Sequence, residues 1–464
     1  MCETVTGIVH TKCYPGRRIL RDYIAGYRQN EKLPVIHSMN TTDNLASIVP
    51  SHPSQSELRP TLRLLFWLLL AFAPMTLYHS GATVVLLFAL TLVSIWDSQD
   101  RKIIFSHSSS KVQMWLFVAL MGYGLLSISW AGDLKESFYD WWRIALILSC
   151  GWILLQSILR LDPSHCRYLL GGVMWGTGLL ILSLIVEWLG DGQIASLFKD
   201  QQSSNLLFTS RSCAVLAVIV GPLTLYGATR LGAWATGLFS LLALMMIALL
   251  PLFSASIAVV SAAVVFICQR CWPRITPWIL ALSIILTLFL MPLAGVQSSS
   301  SAQSIKSLPK SWVHRLVIWE FFAERVQQSP WVGHGIGSAH GLSKDPSALA
   351  DYQRIARVYG NAKITAQPPL HPHNAVLQLW HDLGLVGVLG ASVLILLVIR
   401  GLVRGGFGPN ALAVGLAALT AWLVIAGVSF GLWQKWWLAC SGISLTIYML
   451  MLRGLYTQGN ITDA

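Results

Sequence analysis

Apolar runs of about 17–21 residues recur down the chain, near 62–78, 81–97, 113–130, 143–160, 168–189, 212–229, 233–250, 254–270, 276–294, 376–399, 409–429 and 436–454. Short polar or basic connections separate them, the briefest being "PLFSAS" between the seventh and eighth. A helix needs about 20 apolar residues to cross a hydrocarbon core of about 30 Å, and in that core it satisfies its own backbone. The pattern predicts an all-α, polytopic integral membrane protein with about twelve transmembrane helices.

Lysine and arginine set the sidedness. The N-terminal segment carries Arg17, Arg18, Arg21, Arg28 and Arg59, and the second connection carries Arg101, Lys102 and Lys111. Alternate later connections carry Arg160 and Arg167, Arg230, Arg270 and Arg274, and Arg400 and Arg404, and the tail has Arg453. The intervening short connections are poor in both residues. Basic loops mark the cytoplasmic face, so an even number of spans with both termini in the cytoplasm is expected.

One connection breaks the pattern. Residues 295–375 form an outer loop far longer than a turn. It begins with "VQSSSSAQSIKS". A helix is expected from Ser311, as N-cap, to about Ser329 before Pro330. "WVGHGIGSAHG" then reads as a glycine-rich turn. Asp345 and Pro346 read as N-cap and first-turn proline of a second helix, which carries Arg354 and Arg357 and is closed by Gly360. The loop ends in "HPHN" before the tenth run. The expected organisation is a cytoplasmic extension over 1–60, nine spans over 61–294, a periplasmic loop over 295–375, three spans over 376–455 and a cytoplasmic tail over 456–464.

Composition supports the membrane assignment. Of the 464 residues, 55% are hydrophobic and 11% charged, against about 25% charged in soluble proteins. The net charge of +12 follows from basic loops on one face, so no nucleic-acid partner is expected. No signal-type apolar core precedes the first run. The eight cysteines are scattered. Cys268 and Cys271 form a CxxC without the second pair that a zinc site needs.

The outer loop and its flanks hold six of the twelve histidines: His314, His334, His340, His371, His373 and His381. A neutral imidazole suits general-base work near pH 7, while Asn374 is equally a good helix cap. A His-x-His pair could hold zinc, with Asp345, Asp351 and Asp382 the nearest acids, but no partner stands at usable spacing and no metal or cofactor is expected. Arg211 lies at the outer end of the sixth span, opposite the basic face, where a mere anchor is unexpected. Arg315 stands one turn before Trp319; the bland alternative is an interfacial helix with its arginine in water. "GHGIGS" at Gly333 has no following lysine and no strand–helix setting, so it reads as a turn whose glycines allow positive φ. Two outward arginines and a histidine beside lipid suit a lipid-linked pyrophosphate: arginine matches phosphate oxygens, fixed cations stabilise a pyrophosphate leaving group, and His373 could deprotonate an attacking hydroxyl.

The chain resembles the O-antigen ligase and polymerase superfamily of bacterial inner-membrane glycan transferases. The likeness rests on about twelve spans with a long loop before the tenth, on "RLVIWEFFAERVQQSPWVGHGIG", and on "HPHNAVLQLWHDLGLVGVLG". It implies a metal-independent, inverting transfer from undecaprenyl pyrophosphate at the periplasmic face. Arg211 and Arg315 would hold the pyrophosphate and His373 would activate the acceptor, with His371 and Asn374 orienting it. Arg354 and Arg357 are further expected substrate contacts. The acceptor would be lipid A–core sugar for a ligase, or a second lipid-linked glycan for an O-antigen or exopolysaccharide polymerase. A transporter would also suit twelve spans, but no matching halves are visible and the chemical groups lie in one outer loop.

Overall fold

The computed structural model describes residues 59–97, 108–196, 206–296, 310–359 and 367–455. The N-terminal extension up to residue 58, Arg101 and Lys102, the serine-rich start of the outer loop, Gly360 and the tail lie outside them. The helices are α1 (Pro60–Tyr78), α2 (Ala82–Asp97), α3 (Ser108–Ser127), α4 (Leu134–Ile158), α5 (Pro163–Leu189), α6 (Ser210–Arg230), α7 (Ala233–Leu249), α8 (Phe253–Cys271), α9 (Thr276–Val296), α10 (Lys310–Gln328), α11 (Pro346–Val358), α12 (Ala375–Arg404), α13 (Pro409–Val428) and α14 (Lys435–Leu455). Among the described residues there is no strand. Every expected apolar run is helical. Ten segments are long and apolar enough to cross a membrane, whereas α2 and α7, at 16 and 17 residues, are apolar but shorter. The full count of twelve spans therefore exceeds what length alone supports.

Helix starts follow local chemistry. α4 begins well before its apolar run because the Asp133 carboxylate accepts from Glu136 N at 3.2 Å, a side-chain cap that lets two polar turns form. α11 starts at Pro346 behind the Asp345 cap as expected, whereas α10 already begins at Lys310, so Ser311 lies inside its first turn and is not the N-cap. Small residues bring spans together: Gly172 and Gly176 of α5 lie against α1, where a Cβ would sit 2.6 Å from the Phe66 carbonyl oxygen and 2.1 Å from that of Leu70. This is the small-xxx-small contact that permits close helix approach in lipid. Trp96, Trp175 and Trp234 point outward on the apolar surface.

Contacts between connections sort into two ends. Arg59 pairs with Asp97 at 3.7 Å, and Arg453 Nη2 and Arg167 Nη1 donate to the carbonyls of Leu161 at 2.8 Å and Gly454 at 3.3 Å. Ser80, past the end of α1, meets Arg211 at the start of α6; Ser254 at the start of α8 meets Ser429 past α13; and Lys344 reaches Asp133, the N-cap of α4, at 3.5 Å. Arg59 and Ser80 thus lie at opposite ends of α1, as do Asp133 and Leu161 at opposite ends of α4.

The tenth run is not one uninterrupted helix. Gly384 has φ 59° and ψ −156°, which breaks α12 after Leu383. A break frees carbonyls on one side and N–H groups on the other, a heavy cost away from water. The "WVGHGIG" turn answers both. His334 N and Gly335 N donate to the carbonyls of His381 at 2.7 Å and Asp382 at 3.0 Å. In return Leu385 N and Val386 N donate to Pro330 O at 2.9 Å and Trp331 O at 3.4 Å. Tyr123 Oη adds bonds to the carbonyls of Val332 at 3.0 Å and Leu383 at 3.3 Å. Gly333, Gly335 and Gly337 all take positive φ, as the turn requires.

Alanine at Gly384 would place its Cβ 2.5 Å from Gly333 N, and at Gly333 it would lie 2.6 Å from the Asp382 carbonyl oxygen. Each substitution is expected to destabilise the detergent-purified protein by about 2–4 kcal/mol. Gly401, also in α12, has nothing within 4 Å of a built Cβ, so Gly401→Ala is expected to be neutral or to stabilise by up to about 1 kcal/mol. Thermal unfolding of the three variants checks this; equal shifts would refute the interlock.

Candidate active site

The outer segment has its own small core. Val317, Ile318, Phe321 and Phe322 of α10 pack with Tyr352, Ile355 and Ala356 of α11 and with Leu377 of α12. Asp345 caps α11, its Oδ1 accepting from Ser347 N at 2.9 Å. With that stripe buried, Arg315 and Trp319, one turn apart, share another face of α10. Trp319 Nε1 donates to the Pro372 carbonyl at 3.1 Å, which ties α10 to "HPHN". Arg315 is half-buried, and its charge reaches His373.

The "HPHN" turn is set residue by residue. Pro372 biases His371 toward extended backbone. His373 has φ 51°, a left-handed conformation costing about 1–2 kcal/mol for a non-glycine residue. Asn374 is extended, and its Oδ1 accepts from Val376 N at 3.0 Å and Leu377 N at 3.1 Å. Asn374 is thus buried and spent as the cap of α12. His373 Nδ1 lies 2.8 Å from the Ser429 carbonyl. A carbonyl only accepts, so Nδ1 carries the proton and Nε2 keeps the lone pair. Burial holds the His373 pKa below its ordinary 6.5; the Ser429 bond opposes this and the Arg315 charge adds to it. His371, 4.3 Å away between ring centroids, is pushed down to about 4, chiefly by burial and then by His373 and His340.

The connection between α13 and α14 supplies a wall that the sequence reading left out. Ser429 holds His373, and Gln434 Nε2 lies 2.7 Å from His371 Nε2. The connection is itself pinned to α12: Leu432 N donates to Gln378 Oε1 and Trp433 Nε1 to Asp382 Oδ2, each at 2.7 Å. The ring of Trp436 lies 5.3 Å under the Arg211 guanidinium, and Arg211 also donates to Ser80 Oγ. Arg211 stands in the first turn of α6, where the helix dipole disfavours a cation. The only sequence hint was the aromatic-rich "SFGLWQKWW" at an outer mouth.

Arginine partners separate two groups. Arg354 is paired with Glu324 at 2.6 Å and Arg325 with Asp345 at 3.6 Å; Arg357 is exposed on α11. Among the described residues neither Arg211 nor Arg315 has a carboxylate partner. His340 pairs with Asp140 at 2.8 Å on the α4 side. Among the described residues no cluster of three or more His, Cys, Asp or Glu is placed to hold a metal.

An all-α polytopic membrane protein with a helical outer segment, two acid-free arginines and an unprotonated imidazole nitrogen defines the class. Residues 203–392 match the family described as O-antigen ligase. A Rickettsia conorii protein named "Putative polysaccharide ligase" is 25% identical over 373 residues, covering 78% of this chain and 87% of the relative. A Rickettsia bellii protein of the same name is 26% identical over 348 residues, covering 73% and 79%. These matches support the O-antigen ligase superfamily for this chain.

Imidazole ¹⁵N shifts should separate the histidines. His373 is expected to stay neutral at pH 7 and to protonate only below 6.5. His340, raised chiefly by its bond to Asp140, is expected to protonate above 6.5. Its contribution to stability is then fully present below 6.5 and lost as pH rises through the raised value. The reverse titration order would refute this arrangement.

Proposed function

We propose that the protein is a glycan ligase. It moves a glycan from undecaprenyl pyrophosphate to an acceptor hydroxyl, that of a lipid A–core sugar, at the periplasmic face of the bacterial inner membrane. The observation that carries the reading is the pair Arg211 and Arg315, without a carboxylate partner among the described residues, with the Arg315 charge reaching His373, whose Nδ1 is occupied and whose Nε2 can accept a proton.

The chemistry follows from those atoms. The acceptor O–H gives its proton to His373 Nε2 as its oxygen attacks the anomeric carbon. The C–O bond to the pyrophosphate breaks on the opposite face, so configuration inverts. The departing pyrophosphate gains charge, which two fixed guanidiniums stabilise. Nδ1, donating to the Ser429 carbonyl, steadies the imidazolium. The reading invokes no metal. Basic connections at one end and the outer segment at the other support a periplasmic site with cytoplasmic termini.

Arg211→Ala and Arg315→Ala are each expected to lower transfer on the order of a hundredfold, about 3 kcal/mol of barrier, with lysine rescuing poorly for lack of a planar fork. His373→Gln should lose turnover yet keep donor affinity. The wild-type rate should fall as pH drops below 6.5, through the lowered His373 pKa. The measurement is donor binding and transfer on purified variants, with lipid A–core or a second lipid-linked glycan as acceptor and with and without chelator. An active His373→Gln enzyme would remove the base assignment, and chelator-sensitive turnover would bring in a metal. Transfer only to the lipid-linked glycan would make the enzyme a polymerase.

Sidedness has its own check. Ala350, exposed on α11, and Cys271, exposed at the end of α8, are expected on opposite faces. In a background with the other cysteines replaced by alanine, a membrane-impermeant maleimide should label Ala350→Cys in intact spheroplasts and reach Cys271 only after permeabilisation. Labelling of Cys271 alone would invert the topology.

A further inference from the structure

We propose that Gln434 is a positioning residue that keeps His371 neutral, so that proton transfer at this site falls to His373 alone. The inference rests on the reading of His373 as the base, and it brings the α13–α14 connection, outside the matched residues 203–392, into the machinery.

The amide orientation is forced. Trp436 Nε1–H can only donate, and it lies 3.1 Å from Gln434 Oε1. The NH₂ group of Gln434 therefore faces His371 Nε2 at 2.7 Å, and an NH₂ group only donates. On the other side of the ring, the main-chain N–H of His373 points at His371 Nδ1 from 3.4 Å. An imidazolium bears a proton on each nitrogen and would meet a donor at both. A neutral ring has one lone pair to offer, and the shorter contact, at Nε2, claims it.

The surroundings act the same way. His373 lies beside His371, and His340 faces it from the Ser338–Lys344 turn. Arg315 and His314 of α10 reach His373. Each of these groups is a cation when charged. The connection approaches closely because residue 431 is glycine: a Cβ there would lie 2.9 Å from His371 Cγ and 3.1 Å from Gln378 Oε1. A proton on His371 would put a cation against the base, 4.3 Å between ring centroids, and weaken it as an acceptor.

Gln434→Glu reverses the polarity while Trp436 keeps an oxygen to donate to. The carboxylate accepts from His371 Nε2–H and favours the imidazolium. Full-length protein labelled with ¹⁵N-histidine, with His371→Asn for assignment, is titrated in detergent. Wild-type His371 is expected to stay neutral down to about pH 4. In Gln434→Glu it should protonate above about pH 6. Relative to wild type at the same pH, glycan transfer by Gln434→Glu should fall at least about tenfold further at pH 6 than at pH 8.5. Gln434→Leu removes the contact without adding charge, and its loss should not vary with pH in this way. Equal losses at every pH in both variants would reduce Gln434 to a helix start and overturn the proposal. So would a His371 that stays neutral to about pH 4 in the Gln434→Glu variant, or one that protonates there without slowing transfer at pH 6. Should wild type transfer no glycan, the functional reading fails, and the titration still decides whether Gln434 holds His371 neutral.

Discussion

A helix cannot break inside a membrane protein without finding new partners for its backbone. That constraint organises this molecule. The break at Gly384 leaves polar groups whose burial costs a few kcal/mol each if unmet. The turn after Pro330 meets them by exchanging bonds in both directions. Reciprocal exchange fixes register as well as contact, since a slip of one residue would leave donors facing donors. Two short rigid arms run from this joint. One is α10, which ends at Gln328 just before it and carries Arg315. The other is the first part of α12, from Ala375 to Leu383, a lever of about 13 Å by helical rise, with "HPHN" at its far end. The Trp319–Pro372 bond closes the triangle, so the separation of Arg315 and His373 is set by backbone geometry.

The same arrangement explains the electrostatics. Arg325 and Arg354 hold the outer segment together through carboxylates. Arg211 and Arg315 contact indole rings instead. An indole face steadies a guanidinium without cancelling its charge, so the positive field stays available to an anion. That field has a cost: the Arg315 charge lowers the basicity of His373. The bond from Nδ1 to the Ser429 carbonyl works against that loss. Under the proposed roles, anion binding and base strength pull in opposite directions, and the carbonyl is the compromise.

Sequence pattern revealed the helices because hydropathy over some 20 residues is a strong signal. It also revealed Asp345 and the "HPHN" turn, where chemistry is local. It missed the break because "LGLVGVLG" offers several glycines and only Gly384 takes positive φ. What singles Gly384 out is a turn some fifty residues earlier in the chain, and nothing in either stretch alone names the other. The α13–α14 connection was invisible for a different reason. Ser429 contributes a main-chain carbonyl that any residue would supply, and Gln434 and Trp436 are ordinary until placed beside His371 and Arg211. Arg354 illustrates the opposite: in sequence it looked as available as Arg315, and its Glu324 partner lies one helix away.

The strain at His373 ties these threads together. A left-handed histidine is costly, and it persists here because its surroundings determine it from several sides. Pro372 precedes it, the Asn374 cap follows it, and the Ser429 carbonyl holds its ring. Relaxing the backbone would sacrifice the helix cap or the carbonyl bond, each worth about as much as the strain. The imidazole is therefore fixed before any substrate arrives, with one nitrogen occupied and the other waiting. In the proposed reaction a base fixed in this way cannot follow a mobile hydroxyl, so specificity for the acceptor would come from surfaces that bring the hydroxyl to Nε2.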